Sequence, residues 1–413
     1  MAKPTKIGVV FGSQSVEHEV SIITATQLMN RVSNQYQVVP LYIDKQGRWW
    51  TGESLTKIKT FQNLDLQDPA GEDRQLVTAT PYPAQALFEQ ALSEQALSKQ
   101  VSPGQSDALQ LHSLIDTAIF CVHGGRGEDG TLAGLFELLN IPYVGPGVVA
   151  AAVGIDKIIT KQVMEAAGLN VTNYGWFTTA DWEKGQAEVE HHISHLEYPL
   201  FVKPASLGSS VGITRITTPD KLAGAVALAA QFDTRIVVEE AAPPDAIEVN
   251  IAVLGTADDC EASISEQPIQ LDEFLSYADK YERGIGKSKS GDLDNADESG
   301  GKGSQGMAGL SRRIPAPISP DLQSALQDAA CFIWKLIDGF GVARIDFFAN
   351  PSTEEFWVGE VNSPPGSMAY YLWEASGLPY ENLIDRLVEI AQTHHSQRAS
   401  LFASIESNIL KQK

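Results

Sequence analysis

Two apolar runs toward the C-terminal end constrain this chain most. Val342-Ala343-Arg344-Ile345-Asp346-Phe347-Phe348 and Phe356-Trp357-Val358-Gly359-Glu360-Val361 alternate with period two and are rich in β-branched and aromatic residues, so both read as strands. The stretch between them, Ala349 to Glu355, is dense in turn formers, which predicts a hairpin. Such a hairpin gathers Asp346, Glu360 and Asn362 on one patch beside the Arg344 guanidinium. Two carboxylates and an amide oxygen make a hard-oxygen site of the kind Mg²⁺ uses when it shares its shell with phosphates. Arg344 alongside can stabilise charge on a transferring phosphoryl group. A surface ion pair on a hairpin is the blander alternative, and motifs elsewhere in the chain weigh against it.

A metal–phosphate site sets a demand on the rest of the chain, and composition narrows how it is met. The 413 residues can bury a large core in two or three domains. A formal charge of -22 and a pI near 4.7 exclude a polyanionic partner, since a nucleic-acid binder needs a basic footprint. Substrate phosphate must then be held by locally placed Lys and Arg. Cys121, Cys260 and Cys331 show no metal-ligand spacing; they suit a reducing cytosol and read as small core residues. No signal-peptide pattern precedes the strand Ile7–Phe11, and no apolar stretch is long enough to span a bilayer. The expectation is a soluble cytoplasmic protein with no membrane partner.

The strand Ile7–Phe11 enters the turn Gly12-Ser13-Gln14-Ser15-Val16-Glu17-His18-Glu19 and then a helical stretch, which is how an open α/β sheet begins. Residues 50 to 110 carry a degenerate five-residue repeat, read as a surface helix insertion without chemistry. The strand Ala118–Val122 leads into His123-Gly124-Gly125-Arg126-Gly127-Glu128-Asp129-Gly130-Thr131. Domain boundaries are expected at 1–146, 147–239 and 240–395, with a polar tail over 396–413. Residues 282 to 309 are Gly-, Ser- and Lys-rich with few large apolar groups, the composition of a mobile lid.

Several positions invite chemistry, each with an ordinary competitor. Lys203 ends an apolar strand before Gly208-Ser209-Ser210-Val211-Gly212, where small residues let backbone N–H groups approach phosphate; a plain turn explains the same residues. Lys157 opens a helix and reads equally as a solvated lysine. Glu239 and Glu248 are ordinary carboxylates until something places them together. Glu19 sits where a helix dipole favours a carboxylate and could receive a substrate ammonium, or could be only a helix-end charge. His123 is a buried core histidine or a group at a strand end facing a site.

Taken in order, these motifs resemble the D-alanine–D-alanine ligase family: Gly12-Ser13-x-Ser15-x-Glu17-x-Glu19-Val20-Ser21, His123-Gly124-x-x-Gly127-Glu128-Asp129-Gly130-Thr131, Asp156-Lys157, Lys203-Pro204 with Gly208-Ser209-Ser210, Asp279-Lys280-Tyr281, Arg344-x-Asp346-Phe347, and Glu360-Val361-Asn362-x-x-Pro365-Gly366. The likeness covers roughly residues 5 to 392. It implies an α/β and α+β chain with the ATP-grasp fold, two lobes clamping ATP behind an N-terminal open α/β domain. It implies that Lys157, Lys203, Glu239 and Glu248 hold the nucleotide with Phe274 against the base, while Ser209, Ser210 and Lys280 meet its phosphates. Asp346, Glu360 and Asn362 are the implied ligands of two Mg²⁺ ions, with Mn²⁺ as a substitute. Glu19 is expected on the first amino acid's ammonium, linked through Ser209 to Tyr281, and Arg344 on the acyl phosphate. His123, Gly366, Tyr371 and Leu372 are expected near the amino acids, and the family likeness implies a homodimer. The implied activity joins two D-alanines for peptidoglycan synthesis; a related ligase for another carboxylate–amine pair, such as that of mycosporine-like amino acid synthesis, is the rival, with a non-catalytic nucleotide-binding relic more remote. Where the family pattern has Thr and Ser, this chain carries Met368 and Tyr371, a departure confined to the acceptor end.

Overall fold

The computed structural model describes residues 4–63, 71, 73–78, 109–269 and 311–401. The apolar run at Ile7 builds β1 (Thr5–Gly12), in which Ile7, Val9, Val10 and Phe11 are fully buried. Burial on both faces is what the centre of a parallel sheet demands. β1 pairs in parallel with β2 (Tyr36–Ile43) on one side and with β6 (Thr117–Phe120) on the other. The side on which strands are added switches at β1, so the loops after β1 and β6 frame a crevice at the strand C-termini, where open α/β sheets bind ligands. Helix α1 (His18–Met29) leaves the first loop and α2 (Thr131–Leu139) leaves the second.

The sheet continues to seven strands in the order β5-β4-β3-β2-β1-β6-β7. Three of them, β3 (Trp49–Thr51), β4 (Gln75–Thr78) and β5 (Leu109–Gln110), come from the stretch expected to be a surface helix insertion. The correction has a simple cause: Trp50 and Val77 are buried and give those edges a core to join. The repeat itself lies outside the described residues. β7 (Tyr143–Val144) closes the far edge.

A second, antiparallel sheet has the order β10-β9-β11-β8, formed by β8 (Tyr174–Thr178), β9 (Leu200–Pro204), β10 (Thr214–Ile216) and β11 (Arg235–Glu240). A third has the order β13-β12-β16-β17, and short strands β14 (Gln267–Pro268) and β15 (Arg312–Arg313) pair beside it. Its strands are β12 (Ile247–Gly255), β13 (Cys260–Ala262), β16 (Gly341–Ala349) and β17 (Phe356–Asn362). Helices α3 (Val148–Ile155) and α4 (Lys157–Ala166) lie between the two sheets: Ile158 packs with Ala205 and with Val237 of the second, while Ala150 and Met164 join the core of the third, with Ile251, Val253 and Phe347. Ile333 and Trp334 of α6 (Pro320–Leu336), a helix capped by the Ser319 side chain on Leu322 N at 3.1 Å, fill the same core. Helix α5 (Leu222–Ala229) covers the second sheet.

Two short apolar faces fasten the sheets together. The long helix α8 (Tyr380–Ala399) buries Leu383, Ile384, Leu387, Val388 and Ala391, a one-sided helical stripe, in the same core as Ile7, Val9 and Phe11. It continues past His394, whose ring stacks on Phe340 at 3.9 Å, and ends at Ala399, so its last turn takes in the first residues of the expected tail. The cysteine expectation is also corrected. Cys260 and Cys331 form a disulfide with Cα atoms 5.7 Å apart across 71 residues, because β13 packs on α6, and only Cys121 remains as a buried free thiol. Among the described residues no helix is long and apolar enough to cross a membrane.

Candidate active site at the junction of three sheets

The loops after β1 and β6 and the inner faces of the second and third sheets enclose a cleft of about 420 Å³. Glu17, only 5% exposed, enters it from the β1–α1 turn and accepts a hydrogen bond from the Ser209 hydroxyl of the β9–β10 turn. Gly124 leaves room for it: at φ +69° a Cβ there would meet Glu17 Oε2 at 2.5 Å. His123 also lines the cleft, with Nε2 3.0 Å from Thr24 Oγ1 and Nδ1 3.5 Å from Glu128 Oε1. Glu19 does not reach it. Two residues further on, in the first turn of α1, its side chain is 55% exposed and pairs with Lys45 at 2.6 Å. Residues two apart on a helix face different ways, so the carboxylate that the motif brings to the site is Glu17.

The second sheet supplies the cationic wall. Lys203 at the end of β9 and Lys161 in α4 both pair with Glu239 at the end of β11, Lys161 at 2.9 Å. Lys161 also donates to Thr172 Oγ1 at 2.8 Å. Burial pushes the Glu239 carboxyl up, yet the two ammonium groups outweigh it and hold it down from an ordinary 4.5 to about 2. Burial likewise lowers Lys203, while Glu239 and Glu360 raise it further, so it stays an ammonium. Lys157 starts α4 behind its cap Asp156, which accepts from Ile158 and Ile159 N–H at 3.1 and 3.0 Å. Its Nζ donates to Leu207 O at 2.8 Å and lies 3.6 Å from Glu360. Ser209 and Ser210 take left-handed φ values of 55° and 59°, a strained turn of the sort that functional loops hold. Both line the cleft, as does Glu248 of β12.

The third sheet brings the anionic wall. β16 and β17 pair antiparallel as the sequence predicts, with Asp346 opposite Glu360, Arg344 opposite Asn362, and a register shift after Asp346. Arg344 grips Asp346 with both arms of its fork, at 2.7 and 2.8 Å, and Asn362 Nδ2 donates to Asp346 at 2.9 Å. Burial works against the Arg344 cation, but Asp346 beside it holds its pKa well above the usual value. Burial dominates at Asp346 and pushes its carboxyl up despite Arg344. Among the described residues no three Asp, Glu, His or Cys side chains gather as a metal site. Asp346 and Glu360 nevertheless face each other across one hairpin, and turning the Asn362 amide end for end adds a third oxygen. That all-oxygen set fits a hard divalent cation.

Gly366 lines the cleft. Leu372 does not: in α7 (Tyr370–Ala375) it is fully buried and packs into the core shared with β1 and α8, so its expected substrate contact is corrected to a structural one. Tyr371 reaches the cleft through partners. Its hydroxyl donates to Glu266 Oε1 at 2.9 Å, and the Arg312 guanidinium lies 3.8 Å above its ring. Burial first, then Glu266, pushes the phenol up to about 12. Phe274, Lys280, Tyr281 and the lid 282–309 lie outside the described residues. Sequence reasoning passed over Glu17 and Glu128, although both stand inside quoted motifs. It also passed over Lys161, one turn along α4 from Lys157, and Asn250, Glu266 and Arg312, which no local pattern marks.

Three sheets with nucleotide-sized space between them, a lysine-lined wall and an acidic hairpin define an ATP-grasp enzyme. The description "D-ala D-ala ligase N-terminus" matches residues 6–146 and "D-ala D-ala ligase C-terminus" matches 163–296 and 305–389. A D-alanine–D-alanine ligase of Geobacillus kaustophilus is 34% identical over 403 residues, 96% of this chain and 97% of that protein. Two solved structures align over most of both chains. The D-alanine–D-alanine ligase of Coxiella burnetii has TM-score 0.70 and 27% identity, covering 96% of this chain and 97% of its own. The VanG D-Ala:D-Ser ligase of Enterococcus faecalis has TM-score 0.69 and 26% identity, covering 94% and 100%. The chain belongs to the D-alanine–D-alanine ligase family, ATP-dependent ligases that form a peptide bond and release ADP and phosphate.

Proposed function

We propose that this protein joins two D-alanines into D-alanyl-D-alanine for peptidoglycan precursor synthesis. The observation that carries the reading is convergence: the Arg344–Asp346–Glu360–Asn362 hairpin, the lysines 157, 161 and 203, and the Glu17–Ser209 pair all line one cleft. Lys157 and Lys203 hold the nucleotide phosphates, with Ser209 and Ser210 adding donors from their turn. Glu239 and Glu248 contact the nucleoside. Glu17 takes the ammonium of the first amino acid, the role that sequence alone gave to Glu19.

The carboxylate of that amino acid then attacks the γ-phosphoryl group. Arg344, already desolvated, meets the charge that develops on the acyl phosphate and on the tetrahedral species formed when the second amine attacks. Asp346, Glu360 and Asn362 would hold two Mg²⁺ ions, or Mn²⁺ in their place. Bound there, a divalent cation neutralises phosphate charge. A cytoplasmic homodimer completes the reading and rests on family membership alone; a sizing measurement tests it.

The reading is tested by incubating the protein with ATP, Mg²⁺ and D-alanine as sole amino acid. ADP release with D-alanyl-D-alanine formation is the expected outcome. ADP release only with some other carboxylate–amine pair rejects the product and keeps the ligase class. That second reading draws on one observation, the Tyr371 ring standing where the family pattern carries a small Ser.

A further inference from the structure

The Cys260–Cys331 disulfide takes no part in the steps above, yet it anchors the segment that carries Glu266 into the cleft. Cys260 opens β13, and the chain runs on through Ser263 and Ser265 to Glu266. Along this stretch it lies against α6, which meets it at every fourth helical residue. Cys331 bonds Cys260, the Gln327 amide donates to Ser263 O at 2.9 Å, and the Ser265 hydroxyl donates to Gln323. Residues four apart share one face of a helix, so Gln323, Gln327 and Cys331 form a single row that guides the segment. From elsewhere Arg386 of α8 grips Glu261 with both arms of its fork, at 2.6 and 2.9 Å, and the Ser376 hydroxyl accepts from Ile264 N–H at 2.8 Å. At the inner end of the row Glu266, buried and lining the cleft, is held by Arg312 at 2.7 Å and by the Tyr371 hydroxyl at 2.9 Å.

Both cysteines are half-buried, and their neighbours Asp259 and Phe332 are exposed, so a small thiol can reach the sulfurs. In a thiol-rich compartment such a bond is usually transient and redox-sensing rather than permanent. We propose that the Cys260–Cys331 disulfide is a thiol-exchangeable latch that sets the acceptor end of the cleft. A small thiol such as glutathione attacks one sulfur as its thiolate, the S–S bond breaks, and the other sulfur leaves as a thiolate that takes up a proton. A second glutathione resolves the mixed disulfide, so two cysteine thiols form and glutathione disulfide departs. Opening the latch leaves the outer end of the row to hydrogen bonds and to the exposed Glu261–Arg386 pair, and exposed pairs contribute little. Glu266 is then placed less firmly for Tyr371 and Arg312. The proposal rests on the ligase reading only in assigning that end of the cleft to the acceptor.

The test compares the full-length protein oxidised with glutathione disulfide and then reduced with dithiothreitol. In denaturant the oxidised form should titrate as a single thiol, Cys121, and the reduced form as all three cysteines. Reduction should lower Tm by about 5 °C or more and quicken amide exchange over residues 260–266 by about tenfold. It should raise the acceptor KM about threefold to tenfold and leave the KM for ATP unchanged. A protein carrying Cys260→Ser with Cys331→Ser should match the reduced form and ignore dithiothreitol; reduced wild type stands as the test if that variant does not fold. Three thiols in the oxidised sample, or equal exchange over 260–266 in the two forms, overturns the latch. So does an acceptor KM that stays put while exchange quickens, a fall in kcat with both KM values unmoved, or a double variant that still answers to dithiothreitol. Failure of the ligase reading looks different: no amino acid supports ADP release, and the exchange result then decides the latch by itself.

Discussion

The two ends of the cleft are built on different principles. At the nucleotide end, charges alternate: Lys161 and Lys203 grip Glu239, Lys157 stands by Glu360, and Arg344 grips Asp346. At the acceptor end a single buried carboxylate, Glu266, is shared among Arg312, Tyr371 and Asn250. The first arrangement suits phosphate and metal, which exchange one set of charges for another. The second suits a neutral group read by hydrogen bonds.

The largest effect is expected at the first end. On the proposed function Glu360→Gln or Asn362→Ala removes a cation ligand, and losing one contact of this sort typically costs ~10²–10³ in kcat. Steady-state ADP release, with circular dichroism as a folding control, measures it. Either variant retaining half of wild-type turnover would show that the hairpin holds no metal, and the contrast between the two ends would collapse.

Next comes the buried carboxylate between two lysines. Glu239 titrates near 2 in the folded protein against an ordinary 4.5. A depressed carboxyl contributes stability that is fully present above its unfolded value and is lost as pH falls through its folded one. The difference in Tm between wild type and Glu239→Gln should therefore be constant near neutrality and shrink between about pH 4.5 and pH 2. Breaking such a buried pair costs about 3–5 kcal/mol at neutral pH. A Tm difference that does not vary with pH in that window would mean that Glu239 carries no charge-dependent load.

The contrast also explains what could be read without coordinates. β1, β6, β9 and the β16–β17 hairpin were legible because burial on two faces, or strict alternation, writes itself into apolar residues. Lys157, Lys203 and Asn362 drew notice because they stand at the start or end of an element, and Asp346 and Glu360 because each sets a charge inside an apolar strand. Glu17 was missed by two residues: the motif contains both carboxylates, and only the entry angle of α1 decides which one faces the cleft. Asn250, Glu266 and Arg312 could not be found, since an isolated bridge between Asn250 and Glu266 and the pairing of β15 with β14 bring them together over long separations. The Cys260–Cys331 pairing was hidden for the same reason.

That miss yields a direct comparison. Glu17→Gln removes the charge facing the first amino acid and should raise the donor KM about tenfold to a hundredfold, leaving the KM for ATP near wild type. Glu19→Gln breaks an exposed pair with Lys45, and exposed pairs contribute little; its kinetics should match wild type. Glu19→Gln proving the more damaging would return the ammonium role to Glu19.

Among the substitutions expected to alter kinetics, the smallest effect belongs to Tyr371→Ser, because it acts through the partners of the ring alone. The serine hydroxyl cannot span the ring's length to Glu266 Oε1, now 2.9 Å from the phenol, and the Arg312 guanidinium loses the ring beneath it. A cation over an aromatic face contributes about 0.5–2 kcal/mol when desolvated, and one hydrogen bond to a charged group about 1.5–3. Part of each is recovered when Arg312 and Glu266 pair more closely with each other. The acceptor KM should therefore change by about tenfold, while the KM for ATP and the rate with saturating acceptor stay near wild type. A fall in kcat of the same size would instead tie Tyr371 to Arg344 and the phosphoryl step, and the two ends of the cleft would then work as one.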